Sequence, residues 1–373
     1  MTGPTGLAAR RVTPDLARGL LLALIAVANV HLYLVARPIG YRGYPAGLEG
    51  VDRVVAVVQM VLVDGRVYPL FAALVGYGLA RLAERAPPPV LRRRGLVLLG
   101  IGALHGVLVF PGDIIGAYGL VIVLIAPAVA GSAPGTASSR GLLAAAGAIA
   151  AFGILLSTGQ GTPQGTPTVP SIAARTFGQA LAAHPEEWLA TTVFSALLTA
   201  PAVLVGVVIG RTGTLDDPAA HRRRLTLWAV AGLGASVLLG LALALAGAGT
   251  WTPGVAAGGF AGAAHTAGGF AGALGLLGVM GLLGSLSWPG RDLIAASGTW
   301  SMTLYLAQSV VFTAVFARFA GDLGSAAGLA TASLIGLLVW LAGVLAAGML
   351  ALGGRRGPAE ILVRRLTYGR GVS

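Results

Sequence analysis

Apolar runs of about twenty residues recur from end to end of the chain, separated by short stretches in which arginine, glycine and proline concentrate. A run of that length crosses the roughly 30 Å hydrocarbon layer of a bilayer as a helix. The pattern predicts ten spans, near residues 17–36, 54–81, 95–111, 114–131, 141–158, 188–210, 225–248, 257–284, 296–318 and 327–352. The fold class is therefore all-α, a polytopic integral membrane protein. Between the fifth and sixth spans lies STGQGTPQGTPTVPSIAARTFGQALAAHPEEW, rich in Gly, Thr, Pro and Gln. It reads as a flexible or lid-like loop. The expected organisation is an N-terminal five-helix half (1–158), a non-cytoplasmic loop (159–187), a C-terminal five-helix half (188–352) and a basic cytoplasmic tail (353–373).

Composition sharpens this picture. Of 373 residues 56% are hydrophobic and 10% charged, whereas soluble domains carry roughly a quarter charged residues. A net charge of +12 does not mark a nucleic-acid partner, because every basic residue is arginine and most lie in short loops between apolar runs. With ten spans both termini share a side. That side receives Arg10, Arg11, Arg18, Arg81, Arg85, Arg92, Arg93, Arg94, Arg140, Arg211, Arg222, Arg223, Arg224, Arg291, Arg355, Arg356, Arg364, Arg365 and Arg370. The other side keeps only Arg37, Arg42, Arg53 and Arg175. Arginine marks cytoplasmic loops, so both termini are expected in the cytoplasm and the protein in the cell membrane. The first eighteen residues lack the apolar core of a signal peptide, so the first span is expected to be retained. With no cysteine there is no disulfide framework, no thiolate nucleophile and no metal site of the usual spacing.

Polar residues inside spans carry the chemistry, because an ionisable group there usually faces the bundle interior or a water-filled cavity. In the first span, helical periodicity puts Asp15, Arg18 and Asn29 on one face. Asp15 and Arg18 can pair at i,i+3, either as an interfacial salt bridge or as a basic group offered to an anionic ligand. Asn29 suits an interhelical hydrogen bond or a ligand contact. His31 points about 200° from Asn29 on a continuous helix, which assigns it a different environment. In QMVLVDGRVYPLFAALVGYG, Asp64, Tyr68, Phe71 and Gly78 form one stripe, with Arg66 elsewhere. Pro69 is expected to break that helix, and broken helices at membrane depth usually line a cavity. An ion pair of Asp64 with Arg66 or another arginine is an equal alternative.

The stretch HGVLVFPGDIIGAY places His105 eight residues before Asp113 across a tight turn. The aspartate can fold back on the histidine and set its tautomer for acid/base or nucleophilic work, or it can simply cap the next helix. In the ninth span Ser301, Tyr305, Gln308 and Phe312 share a face, which suits polar contacts between helices. The near-repeat GGFAGAAHTAGGFAG in the eighth span reads as a close-packing face. Such faces suit a homodimer as well as a monomer. The tail RRGPAEILVRRLTYGRG reads as a surface amphipathic helix whose arginines meet lipid or a phosphate-bearing ligand. No Gly-x-Ser-x-Gly, His-Glu-x-x-His or Walker-type loop occurs.

In order along the chain, DLARG, DGRVYPLFAALVGYG, RRRGLVLLGIGALHGVLVFPGDIIGAYGL, GTWSMTLYLAQSVV and RGPAEILVRRLTYG resemble the YeiB family of bacterial membrane proteins, domain of unknown function 418. That family is in turn similar in fold to transmembrane acyltransferases typified by heparan-alpha-glucosaminide N-acetyltransferase. The resemblance implies transfer of an acyl group from cytoplasmic acyl-CoA to an acceptor beyond the membrane, with a histidine in the bundle at work. It points to two histidines, His31 by position after the first helix and His105 by the more specific motif. His105 with Asp113 is the preferred pair, with Asn29 or Tyr68 as oxyanion donor. Asp15, Arg18, Arg92, Arg93, Arg94, Arg364 and Arg365 are expected to hold the CoA, and the acceptor to enter under loop 159–187. Two alternatives stand beside this. One is a proton-coupled transporter or flippase of a small solute or lipid, using Asp64, Asp113 and His105. The other is a non-catalytic scaffold or sensor.

Overall fold

The computed structural model describes residues 12–130, 136–167 and 169–369; Arg10, Arg11 and Arg370 lie outside them. Among the described residues the regular structure is helical: α1 (Val12–Val30), α2 (Gly50–Leu62), α3 (Val67–Ala83), α4 (Pro88–Leu108), α5 (Ile115–Ala130), α6 (Thr136–Leu156), α7 (Phe177–Thr212), α8 (Arg222–Gly247), α9 (Val255–Gly284), α10 (Arg291–Gly298), α11 (Ser301–Phe316), α12 (Leu329–Leu352) and α13 (Pro358–Tyr368). Seven stretches are long and apolar enough to cross a bilayer, and the α10–α11 pair, bent by 84°, makes an eighth. By helix length and hydropathy the chain is a multi-pass membrane protein. The other two expected spans coincide with α4, which carries Arg92, Arg93 and Arg94 near its start, and with α5, only 16 residues long.

The second span is broken, but not where proline predicts. α2 stops at Leu62 and α3 restarts at Val67, and Gly65 between them has φ +77°, a conformation open to glycine at little cost. A Cβ at Gly65 would stand 3.2 Å from the His265 ring. Pro69 occupies the third position of α3, where a missing N–H forfeits no intrahelical bond. The proline therefore fits the restart of the helix, and the glycine turn makes the break.

Helices of the two expected halves pack on each other: α1 on α10 and α12, α2 on α8, and α3 on α7. One further expectation is corrected. Residues 177–187, assigned by sequence to a loop, form the start of α7, which Thr176 caps by accepting the Gln179 N–H at 3.3 Å. Pro and Gly content had hidden this start; Pro185 sits inside the helix. What remains of the loop is tied down. The Gly165 N–H donates to the Ile39 carbonyl at 2.8 Å and the Gln164 N–H to the Gly40 carbonyl at 3.0 Å. The segments around 39–45 and 164–165 thus close one end of the bundle together.

Small residues set the closest helix contacts, as the glycine-rich stretch predicts. A Cβ on Gly275 would meet the backbone of Gly232 and Leu233, and one on Gly278 the backbone at Leu225 and Ala229. α8 and α9 therefore touch main chain to main chain, the arrangement by which membrane helices gain packing without a hydrophobic driving force. Gly19 serves the same purpose between α1 and α10, where a Cβ would collide with the Ile294 carbonyl.

Candidate functional site

Two cavities enter the bundle from opposite ends. The larger, about 620 Å³, is lined by Asp15, Arg18, Arg81, Arg85, Arg94, Glu360 and Tyr368 among others. The smaller, about 250 Å³, is lined by Asn29, His31, Arg42, Asp64, Tyr68, Gln160 and Gln164 among others. Five residues, Ile25, Phe71, Ile114, Tyr118 and Tyr305, line both. They form an apolar and aromatic septum. Phe71 and Tyr118 stack with ring centroids 5.4 Å apart, and the Tyr118 hydroxyl donates to the Tyr68 carbonyl at 3.0 Å.

The stripe read on the second span runs through this arrangement in order. Asp64 and Tyr68 face the smaller cavity, Phe71 the septum and Gly78 the larger cavity. On α1 the sequence repeats itself: Asp15 and Arg18 face the larger cavity, Ile25 the septum and Asn29 the smaller cavity. From Asp15 to Asn29 an α-helix rises about 21 Å. Asp15 accepts from Arg18 at 2.8 Å, the pair expected at i,i+3.

At the larger cavity the arginine set differs from that read in sequence. Arg94 lines it, whereas Arg92 and Arg93 are exposed outside it. Arg364 is half-buried and Arg365 exposed on α13, and neither is in the lining. Helical geometry sends successive side chains to different faces, so a run of three arginines offers one to the cavity. Arg81 and Arg85, read only as topology markers, take their place. Arg81 also pairs with Asp216 at 3.2 Å. From α13 it is Glu360 and Tyr368 that face inward. The Glu360 carboxylate accepts the N–H groups of Met302 and Thr303 at 2.8 and 3.3 Å and the Thr303 hydroxyl at 2.6 Å, capping the start of α11.

The smaller cavity is walled by a buried ionic network. Arg42 Nε and Nη2 reach the two oxygens of Asp64 at 2.7 and 3.0 Å, a fork-to-fork pair. Nη2 also donates to the Tyr68 hydroxyl at 2.7 Å and Nη1 to Gln160. Burial alone would lower the proton affinity of Arg42; Asp64 and Tyr68 outweigh it and raise the guanidinium above its ordinary value. The Asp64 oxygen that Arg42 Nε reaches also meets His265 Nε2 at 3.1 Å. His265 in turn contacts Arg66, whose Nε donates to Ser236 at 2.9 Å. The partner of the Asp64 carboxylate is thus Arg42, and Arg66 bonds its backbone carbonyl at 2.5 Å. Arg66 is completely buried and stays outside both linings.

The two candidate histidines separate clearly. His105 Nδ1 lies 2.8 Å from Asp113, whose second oxygen accepts the Gly116 N–H at 2.7 Å. The turn does fold the aspartate back, because both the Val109 and Phe110 N–H groups close on the His105 carbonyl. Yet neither residue lines either of these two cavities; both are buried, with the His105 and Tyr305 rings edge to face at 5.4 Å. His31 does line the smaller cavity, beside Asn29. The separate environment expected for His31 is therefore not observed: His31, which opens a 3-10 turn just past the end of α1, lines the same cavity as Asn29. Tyr305 reaches the septum, its hydroxyl accepting the Ile114 N–H at 3.3 Å. Gln308 is buried between helices and donates to the Leu22 carbonyl at 3.4 Å.

A family described as "Protein of unknown function (DUF418)" matches residues 209–370. Those residues form a DUF418 family domain. It supplies Ser236 and His265 of the ionic network, Tyr305 of the septum, and Glu360 and Tyr368 of the larger cavity, while Asn29, His31, Arg42, Asp64 and Tyr68 lie before it. No curated protein and no solved structure matches the chain at a significant level. The residues that sequence reasoning missed, Arg42, Gln160 and His265, sit in a loop, in a Gly/Thr/Gln segment and in a glycine-rich packing face. The one available signal was His265 itself, an ionisable residue inside a span.

Proposed function

We propose that the protein is a membrane-bound acyltransferase that passes an acyl group, acetyl in the simplest case, from acyl-CoA on the arginine-rich side to an acceptor entering on the other. The observation that carries this reading is the pair of cavities that share the five lining residues of one septum. On this reading the larger cavity and both termini are cytoplasmic, in a ten-span arrangement in the cell membrane that counts α4 and α5; the arginine-rich loops support that orientation. Arg18, Arg81, Arg85 and Arg94 offer guanidinium groups suited to the phosphates of CoA. The pantetheine arm would follow the face of α1 from Arg18 to Asn29 and carry the thioester past Phe71 and Tyr305.

In the smaller cavity His31 is the general base and Asn29 the oxyanion donor, with the Tyr68 hydroxyl free to help, since it accepts from Arg42 and keeps its own proton to donate. An acceptor hydroxyl or amine attacks the thioester carbonyl, its proton passes to His31, the C–S bond breaks, and the departing thiolate takes that proton from His31 to leave as CoA, which restores the neutral base. His105 and Asp113 hold the hairpin, outside both linings. This reassigns the role that the sequence motif favours, because a base has to reach the reacting atom.

Purified protein in detergent should bind CoA with micromolar affinity by titration calorimetry, and Arg18→Ala with Arg94→Ala should weaken it at least tenfold. Absence of CoA binding would overturn the reading. The two discontinuous spans, α2–α3 and α10–α11, also suit a proton-coupled transporter. That reading predicts pH-dependent solute flux in proteoliposomes without any CoA.

A further inference from the structure

Arg42 has left-handed backbone angles, φ 58° and ψ 29°, which residues with a side chain seldom adopt. Something must hold it there, and both its ends are engaged. Its guanidinium is clamped by Asp64, Tyr68 and Gln160. Its carbonyl meets His31 Nε2 at 3.3 Å. Tyr44, two residues on, stacks on the His31 ring with centroids 4.0 Å apart and planes 10° apart. The short 41–44 turn therefore grips the imidazole by an edge and a face. Asp64 itself is delivered by the glycine break between α2 and α3.

We infer that Arg42 is a positioning residue for His31: anchored through its side chain to Asp64, it presents its carbonyl to Nε2–H and so fixes the tautomer in which Nδ1 carries the lone pair. Nδ1 is buried and makes no hydrogen bond among the described residues. A neutral imidazole holds one proton, and the nitrogen whose partner is a carbonyl keeps it. The competing acceptor is the Val27 carbonyl, four residues back on α1, which also interacts with the ring. Were that carbonyl to win, Nδ1 would hold the proton and Nε2 would face an acceptor it cannot use. The clamp on Arg42 decides between them. The inference rests on the proposed role of His31 for its significance, but its test does not need transfer to occur.

The test is nitrogen NMR on the full-length protein labelled with 15N-histidine in lipid nanodiscs at neutral pH. With five histidines in the chain, the His31 signals are assigned by their loss in His31→Asn. The wild type should show a single neutral form with a pyridine-type Nδ1 and a protonated Nε2. Arg42→Gly keeps the left-handed turn and removes the anchor; it should replace that signature with a mixture of tautomers. Asp64→Asn, which weakens the clamp without removing Arg42, should shift the population the same way. A protonated Nδ1 in the wild type overturns the inference even if the protein binds CoA, and so does an unchanged tautomer in folded Arg42→Gly. The expected signature in a protein that fails to bind CoA would uphold the inference and reject acyl transfer.

Discussion

The carboxylate of Asp64, in the break of a membrane-spanning helix, is held at 2.7 and 3.0 Å by the guanidinium of Arg42, which lies in the loop closing one end of the bundle. The pair joins that loop to the membrane-embedded core. Because His265 and Arg66 extend it, the network links α3, α8 and α9 to the wall of the smaller cavity.

Removing one member of such a pair leaves an uncompensated charge where water is scarce. Asp64→Ala is expected to cost roughly 3 to 5 kcal/mol, seen as a large fall in thermal midpoint in detergent. An unchanged midpoint would mean that the carboxylate is solvated and the network loose.

His105→Ala should behave as a structural change. It removes a hydrogen bond to a charged partner, a loss of about 1.5 to 3 kcal/mol, and leaves Asp113 with the Gly116 N–H. CoA affinity should stay within threefold of wild type, and transfer should persist once the protein is assayed below its lowered midpoint. Complete loss of transfer in stably folded His105→Ala would return the catalytic role to the hairpin.

His31→Ala should show the opposite split. CoA binding should be retained, since the ring lies beyond the septum from the arginines, while acyl transfer should fall by at least a hundredfold, the scale of a general base. Equal loss of both would mark His31 as structural.

Glu360→Ala removes the carboxylate that caps α11 and fastens α13 beneath the larger cavity. The loss is expected to be about 1 kcal/mol, with faster hydrogen exchange confined to α13 and the first turn of α11. Uniform exchange across both helices would show that the tail docks by other contacts.

The all-α, multi-pass character could be read from residues alone, because hydrophobic length acts locally. The stripes Asp64–Tyr68–Phe71–Gly78 and Asp15–Arg18–Asn29 were legible for the same reason: 3.6-residue periodicity needs no knowledge of the partner helix. Periodicity gives a direction on one helix but not the extent of the cavity at its end: His31, one residue past the end of α1, lines the same cavity as Asn29. Arg42, a loop residue with left-handed backbone, gave no periodic signal, and its partner lies 22 residues away. The His105–Asp113 bond was foreseen from the turn; that the pair lines neither of the two cavities is a tertiary fact.

Acyl transfer across the septum requires one bound molecule that reaches from the larger cavity into the smaller. An electron-microscopy map of the protein in nanodiscs with acetyl-CoA reveals whether it does. The prediction is density for the nucleotide beside Arg18 and Arg94, with the arm passing between Phe71 and Tyr305 and the thioester next to Asn29 and His31. Density confined to the surface arginines, or both cavities empty at saturating acetyl-CoA, would contradict it.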